Sequence, residues 1–476
     1  MSWLSRMIKK YLPFLLLVLL FTNSIPANAQ STPVKPVYIV QKGDTLLQIA
    51  TRFGISVDDL INQNNISDPN SISIGAQLTI PGYDGIQGTL VPETVALGES
   101  FRSLVLSNQV PEELFVRLNR ITSPSEIYAG SPLIIPQAEQ SKALYPGNTL
   151  SQNGSLLELS IKSKDNPWTL TLNNKFKGLW DVLPSEIVFI KGTDSNQASS
   201  AISPQITKVE ISPLPLVQGE TTEIRVFTQE PVQLNGSLTG QLLEFHSEKP
   251  NEYIAFHGIN RMNEPGVFPI YLEGKTSDGN SFTFEQGVLL TPRPRFEDPR
   301  LPVDPVTTDP KITGPENDLV NNIINQRTPD RLWDGAFKAP VDVPKGYSLD
   351  PDCITDRYGN LRAYNDGPFD FFHAGLDLSA CGNNLNIYAP ARGKVVFAGP
   401  LTVRGNYTII DHGWGIFSAF GHQAEIKVKV GDVVEPGQLI GLIGRTGRVT
   451  GPHLHWDIYV NGVPVNPLNW MVNAYP

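Results

Sequence analysis

Close to the C-terminus, Gly451-Pro452-His453-Leu454-His455-Trp456-Asp457 sets two imidazoles two residues apart. Ile458-Tyr459-Val460 follows, and the bulky and β-branched run reads as a strand. Residues i and i+2 of a strand share a face, so both rings can converge on one point. That geometry suits a metal ligand beside a catalytic base. A catalytic zinc takes three protein ligands and leaves a fourth position for water, so further ligands must come from elsewhere. Upstream, His373-Ala374-Gly375-Leu376-Asp377 places a His and an Asp at i and i+4, which on extended chain again share a face. His422 closes the apolar run Ile416-Phe417-Ser418-Ala419-Phe420-Gly421.

Around these residues, from about 354 to 470, the chain resembles the lysostaphin/LytM-type zinc endopeptidases of bacterial cell walls, peptidase family M23. The matching features are the His-x-Gly-x-Asp run at 373–377, Ala389-Pro390-Ala391-Arg392-Gly393-Lys394-Val395 and Gly405-Asn406-Tyr407-Thr408-Ile409-Ile410-Asp411-His412-Gly413. Val430-Gly431-Asp432-Val433-Val434-Glu435-Pro436-Gly437 and the His-x-His stretch complete the pattern. The resemblance implies zinc as cofactor, held by His373, Asp377 and His455. It also implies His422 and His453 as catalytic residues, which between them handle the water's proton and the developing oxyanion or leaving amine. Zinc lowers the pKa of its water toward about 7 and polarises a carbonyl. Two positions depart from the family: Gln423 stands where Leu is more usual and Phe420 where Tyr is usual, so any contribution of that Tyr hydroxyl to substrate binding is absent. His412, in Asp411-His412-Gly413-Trp414-Gly415, reads as structural, and His246 and His257, in another domain, as incidental.

Strands at Val395-Val396-Phe397, Tyr407–Asp411, Ile416–Phe420 and Leu439–Ile443 must position these groups. They predict a compact antiparallel β-sheet domain over 331–476, with the zinc in a groove suited to an extended peptide. Cys353 and Cys381, the only two cysteines, flank His373. In an oxidising compartment they form one disulfide worth about 3–4 kcal/mol by the chain-entropy model, with free thiols the alternative.

At 476 residues the whole chain is too long for one fold, so further domains are expected ahead of this one. Residues 1–29 read as a secretory signal: Arg6, Lys9 and Lys10, an apolar stretch from Leu12 to Phe21, and Ala27-Asn28-Ala29 before Gln30. The apolar stretch is short for a bilayer span, so cleavage is expected over retention as an anchor, taking the net charge from -10 to -13. No basic stripe marks a nucleic-acid binder, and no other stretch is apolar enough to span a membrane.

Residues 37–82 form a βααβ module. Thr45 and Gln48 make a capping box ahead of Leu46, Ile49, Ala50 and Phe53, and Gly54 ends that helix. With Gly43-Asp44-Thr45-Leu46, Asn64 and Gly75…Leu78-Thr79-Ile80-Pro81, this module resembles a LysM domain, a binder of N-acetylglucosamine-containing glycans. The resemblance makes Gly43, Asp44, Thr45 and Ile72 the candidate glycan contacts. A shift of 55 residues matches Gly43 to Gly98, Asn64 to Asn119, Gly75 to Gly130 and Pro81 to Pro136, giving a diverged second module at 89–137. Residues 143–192 are a candidate third. Alternating apolar residues over 203–292 (Ile224 and Val226; Phe268, Ile270 and Leu272; Phe282 and Phe284) predict an immunoglobulin-like sandwich. Pro-, Asp- and Asn-rich residues 293–330 read as an extended linker.

The whole is thus expected to be multidomain and mainly β. Glycan-binding modules tied to a peptidase imply peptidoglycan as partner. The expected function is a secreted, envelope- or wall-associated zinc endopeptidase that hydrolyses its peptide cross-links. Two alternatives are a non-catalytic regulator that activates a cell-wall amidase and a glycan-binding adhesin with a vestigial peptidase domain. Residues 325–347, with Trp333, Phe337 and Tyr347 to bury, are a candidate cover for the groove.

Overall fold

A computed structural model describes residues 35–476 apart from 71, 84–85, 87, 138–143, 151–153, 184–185, 192–204, 280, 344–348, 350 and 381–383. The signal segment, Tyr347, and Cys381 with its expected pairing to Cys353 lie outside the described residues. No helix among the described residues is long and apolar enough to cross a membrane. The fold is mainly β. Its described residues divide into two compact units, one running through Val91 and taking in Pro136 and Gln137, the other holding the rest.

In the first unit, β1 (Val37–Ile39) pairs antiparallel with β2 (Gln77–Thr79), and α1 (Leu46–Phe53) and α2 (Val57–Asn64) lie between them in sequence. The Thr45 side chain accepts from the Gln48 N–H while Gln48 accepts from the Thr45 N–H, so the capping box forms, and Gly54 closes α1 in the left-handed conformation. Leu46, Ile49, Ala50 and Phe53 are buried along one face of α1.

The second module comprises β3 (Thr89–Thr94), α3 (Phe101–Ser107), α4 (Glu112–Asn119) and β4 (Pro132–Gln137). Residues 143–192 repeat the order with β5 (Leu144–Thr149), α5 (Leu156–Ser163), α6 (Pro167–Asn173) and β6 (Ile187–Lys191), β5 pairing with β6. Asn64, Asn119 and Asn174, spaced 55 residues apart, make one clasp three times. Each side-chain amide donates to a carbonyl one helical turn back and to a strand carbonyl 15 residues on, and accepts that residue's N–H at 2.7, 2.6 and 2.7 Å. The clasp satisfies buried backbone groups where helix meets strand.

The sandwich sets β11-β10-β14-β15-β8 over β12-β13-β9-β7. These strands are β7 (Ile206–Ser212), β8 (Leu216–Val217), β9 (Thr221–Thr228), β10 (Val232–Leu238), β11 (Gln241–Leu243), β12 (His246–Lys249), β13 (Glu252–Gly258), β14 (Gly266–Thr276) and β15 (Ser281–Thr291). Ile224, Val226, Ile270, Leu272 and Phe282 fill the space between the sheets, as their alternation requires. The second module extends this body. Ala129 bonds the β15 backbone on both sides, donating to Gly287 and accepting from Leu289, and Leu97 and Ala129 enter the sandwich core.

Residues 293–330 depart from the expected extended linker. Asp309 caps α7 (Pro310–Ile324), Pro310 occupies its first turn, and Val320 and Ile324 are buried against Tyr407, Ile409 and Phe417. The polar composition hid an Asp-Pro helix start and an apolar pair four residues apart.

The C-terminal domain is built on the sheet β16-β19-β27-β23-β22-β21-β25, with β28 against β27. In chain order its strands are β16 (Ile354–Asp356), β17 (Leu361–Arg362), β18 (Phe371–Phe372), β19 (Leu376–Leu378), β20 (Asn386–Tyr388), β21 (Gly393–Leu401), β22 (Gly405–Gly413), β23 (Ile416–Gln423), β24 (Glu425–Ile426), β25 (Val433–Val434), β26 (Leu439–Leu442), β27 (Leu454–Val460) and β28 (Val463–Val465). A helix, α8 (Pro467–Val472), follows. The core crosses domain borders: Ile254 and Phe256 of the sandwich, and Trp333, Phe337 and Val341 from the presumed cover, all pack with Trp414, Trp456 and Trp470. Trp333 and Phe337 are therefore buried in this shared core and do not line the cleft at the histidine cluster. His246 is not incidental, since its ring stacks on Trp414 with centroids 4.4 Å apart.

Candidate metal centre

Antiparallel pairing of β19 with β27 puts Asp377 opposite His455. His373 reaches the same point by another route. It lies just past β18, which pairs with β17 in a separate hairpin, so His373 and Asp377 do not share one extended strand as expected. The chain bends at Ala374-Gly375, and Gly375 is required by close approach. A Cβ there would lie 2.5 Å from the Trp456 carbonyl, 2.6 Å from Asp457 Oδ1 and 2.9 Å from His455 Cε1.

Three atoms converge: His373 Nε2 lies 3.0 Å from Asp377 Oδ1 and 3.1 Å from His455 Nδ1, and His455 Nδ1 lies 2.7 Å from Asp377 Oδ1. The outer nitrogens decide what these atoms are. His373 Nδ1 faces the Arg357 carbonyl at 3.0 Å, and His455 Nε2 faces Asp457 Oδ1 at 2.7 Å. Both are acceptors, so the outer nitrogens carry the protons and the inner ones present lone pairs. Two imidazole lone pairs and a carboxylate oxygen within 4.8 Å of one another are a donor set for a cation, and their N,N,O chemistry fits zinc. Burial lowers the His455 pKa, but Asp457 and Asp377 outweigh it and push it up to about 10. Burial also opposes ionisation of Asp377, yet His373 and His455 hold its carboxyl well below the usual range.

His422 and His453 stand beside this set, their ring centroids 4.9 Å apart. A register shift between β22 and β23 at Asn406/Thr408 leaves His422 in the left-handed conformation, φ 62°, and a bulge of this kind re-aims a side chain. His453 sits just ahead of β27, bridged to Gly444, rather than within the strand. Each ring donates from Nδ1 to a carbonyl, His422 to Thr446 at 2.8 Å and His453 to Gly451 at 2.9 Å. Each Nε2 is therefore left with a lone pair. Burial pushes the His422 pKa down to about 3 and lowers that of His453, which keeps both rings neutral.

Residues 371–467 match the family model of peptidase family M23, and 38–81 and 94–136 match that of the LysM domain. The chain carries an M23 peptidase domain and two LysM domains. Among known proteins, residues of this chain are 45% identical over 96 residues to "Peptidoglycan DD-endopeptidase ShyA" of Vibrio cholerae, covering 20% of this chain and 22% of that protein. They are 42% identical over 132 residues to "Peptidoglycan DD-endopeptidase ShyC" of the same organism, covering 28% of each. A third relative, "DD-carboxypeptidase/endopeptidase Mpg" of Neisseria meningitidis, is 37% identical over 129 residues, 27% of this chain and 26% of that protein. The matches thus span about a quarter of each relative's length.

In the M23 domain a cleft of about 880 Å³ opens on the histidines. Phe420 is wholly buried in the core and does not line the cleft, so a hydroxyl there would not meet substrate. Gln423 is buried too, its amide donating to Thr408 Oγ1 and the Phe420 carbonyl. His412 is enclosed between the Arg392 carbonyl and Ser418 Oγ.

Sequence reasoning gave no role to Asp457, whose Oδ2 accepts from Tyr407 and Tyr459 while Oδ1 holds His455. Its signal was legible, since i+2 from a strand ligand lies on the ligand's face. Arg362, which donates to Asp377 Oδ2 at 3.0 Å, carried no local signal.

In the first LysM domain, Asp44 accepts from Tyr38 and the Gln41 N–H, and Thr45 is spent on the helix cap, so both side chains shape the loop. Gly43 is exposed at its tip, and Ile72 is half-buried.

Proposed function

We propose that this chain is an exported zinc endopeptidase that hydrolyses peptide cross-links of bacterial peptidoglycan, held on wall glycan by its first LysM domain. The observation that carries the reading is the convergence of His373 Nε2, Asp377 Oδ1 and His455 Nδ1, each able to present a lone pair to a cation, beside two neutral imidazoles. Zinc, when bound, supplies Lewis acidity toward the scissile carbonyl and acidifies water. The chain's own groups do the rest. Arg357 and Asp457 fix the ligand rings, and Nε2 of His422 and of His453 can take a proton from the attacking water and pass one to the leaving amine. The names of the relatives support the same substrate. Retention of all five groups favours an enzyme over an amidase regulator or an adhesin.

Anchoring falls to the first LysM domain because the corresponding loop of the second is taken. Gly98, the counterpart of Gly43, donates its N–H to Gln286 of β15 at 2.6 Å, and Gln286 donates back to the Glu99 carbonyl.

Mass spectrometry of purified peptidoglycan incubated with the mature protein tests the activity. Cross-linked dimers are expected to become monomers, and this conversion is expected to vanish on zinc chelation and in His455→Ala. Intact cross-links with a zinc-loaded protein would overturn the reading.

A further inference from the structure

Three arginines line the cleft beside the metal centre: Arg362, Arg404 and Arg448. Two are neutralised. Arg362 bonds Asp298, Asp356 and Asp377, and Arg404 bonds Glu316 at 2.9 Å. Arg448 differs. Its Nη1 donates to the Thr307 carbonyl at 3.0 Å and its Nη2 to the Tyr364 hydroxyl at 3.1 Å, while its guanidinium lies 4.0 Å from the centre of the Tyr364 ring. All these partners are neutral.

A guanidinium has five N–H donors in a fixed fork that matches a carboxylate bidentately. Two are used among the described residues, so three remain. The head is also immobilised before any ligand arrives, by the tyrosine beneath it, by Thr307, and by its own backbone N–H, which donates to Val403 at 2.8 Å. Burial and the like charges of Arg362 and Arg404 disfavour its cationic form more than Tyr364 and the more distant Glu316 favour it, and a bound anion would offset that balance. A preformed, unneutralised cation on the wall of a peptide-cleaving cleft is a seat for a substrate anion.

We propose that Arg448 binds a carboxylate of the substrate, so that the cross-link cleaved carries a free carboxylate on the residue beside the scissile bond. This rests on the endopeptidase reading and narrows it. A cross-link whose amine comes from a diamino diacid has such a group next to the scissile nitrogen, whereas a glycine bridge has none.

The test uses two synthetic cross-linked peptides, identical except that the diamino acid's carboxylate is free in one and a carboxamide in the other. The zinc-loaded protein is expected to cleave the acid with kcat/KM roughly ten- to a hundredfold above the amide, the range of one hydrogen-bonded charge. In Arg448→Gln the ratio should fall toward one through loss on the acid alone, and Arg448→Lys should keep part of it. Equal cleavage of both peptides by the wild type would overturn the proposal, as would an equal loss on both in Arg448→Gln, the mark of a mere tether to Thr307. If neither peptide is cut, the endopeptidase reading fails. Calorimetric binding of the same peptides then still decides Arg448: tighter binding of the acid in the wild type but not in Arg448→Gln supports it, and equal binding overturns it.

Discussion

Asp457 shows how much a candidate metal centre depends on groups outside its donor set. It fixes which nitrogen of His455 carries the proton, and Tyr407 and Tyr459 hold its second oxygen at 3.0 and 3.3 Å. Asp457→Asn keeps the volume and removes the charge that anchors the ring. Zinc affinity, measured by competition with a chromophoric chelator, is expected to fall roughly ten- to a hundredfold while the melting temperature moves little. Unchanged affinity would mean that backbone packing alone orients His455.

At the scale of elements, α7 clamps the loop that forms one wall of the cleft. Glu316 accepts from the Val403 and Arg404 N–H groups and from the Arg404 guanidinium, while Val320 and Ile324 anchor the helix beneath. Ile324→Ala, at a side chain 1% exposed, is expected to cost about 2–5 kcal/mol in chemical denaturation. A free linker would tolerate it without change, so this measurement separates the two pictures of residues 293–330.

Across the whole molecule, the sandwich and the peptidase domain share one interior, and buried neutral histidines tie its stability to pH. His257, bonded to Thr239 and 1% exposed, is pushed by burial from 6.5 down to about 4. Between these values the unfolded chain binds a proton that the folded chain refuses, so stability rises with pH. His257 thus costs nothing above pH 6.5 and up to about 3 kcal/mol as pH falls to 4. His412 is shifted to about the same value and acts in the same sense. The denaturation midpoint is expected to drop between pH 7 and pH 5, and to drop less in His257→Gln. An identical drop in both proteins would place the sensitivity elsewhere.

The sequence by itself determined the repeats and brought His373, Asp377, His422, His453 and His455 forward as candidates, through the His-x-Gly-x-Asp and His-x-His runs and the family resemblance those runs carry. The capping box at Thr45 and the alternation of the sandwich strands were legible too, since helix caps and the two-residue period are written within a few residues. Only the tertiary structure decided which ring nitrogens point inward as candidate ligands, because that depends on Arg357 and Asp457 standing behind the rings. Likewise it turned a polar stretch into a helix against Tyr407 and Phe417, and buried Trp333 and Phe337 in a core shared by two domains. It also gave Arg448 neutral hydrogen-bond partners, the Thr307 carbonyl and the Tyr364 hydroxyl. Burial and pairing are relations between residues far apart in the chain, and composition carries no record of them.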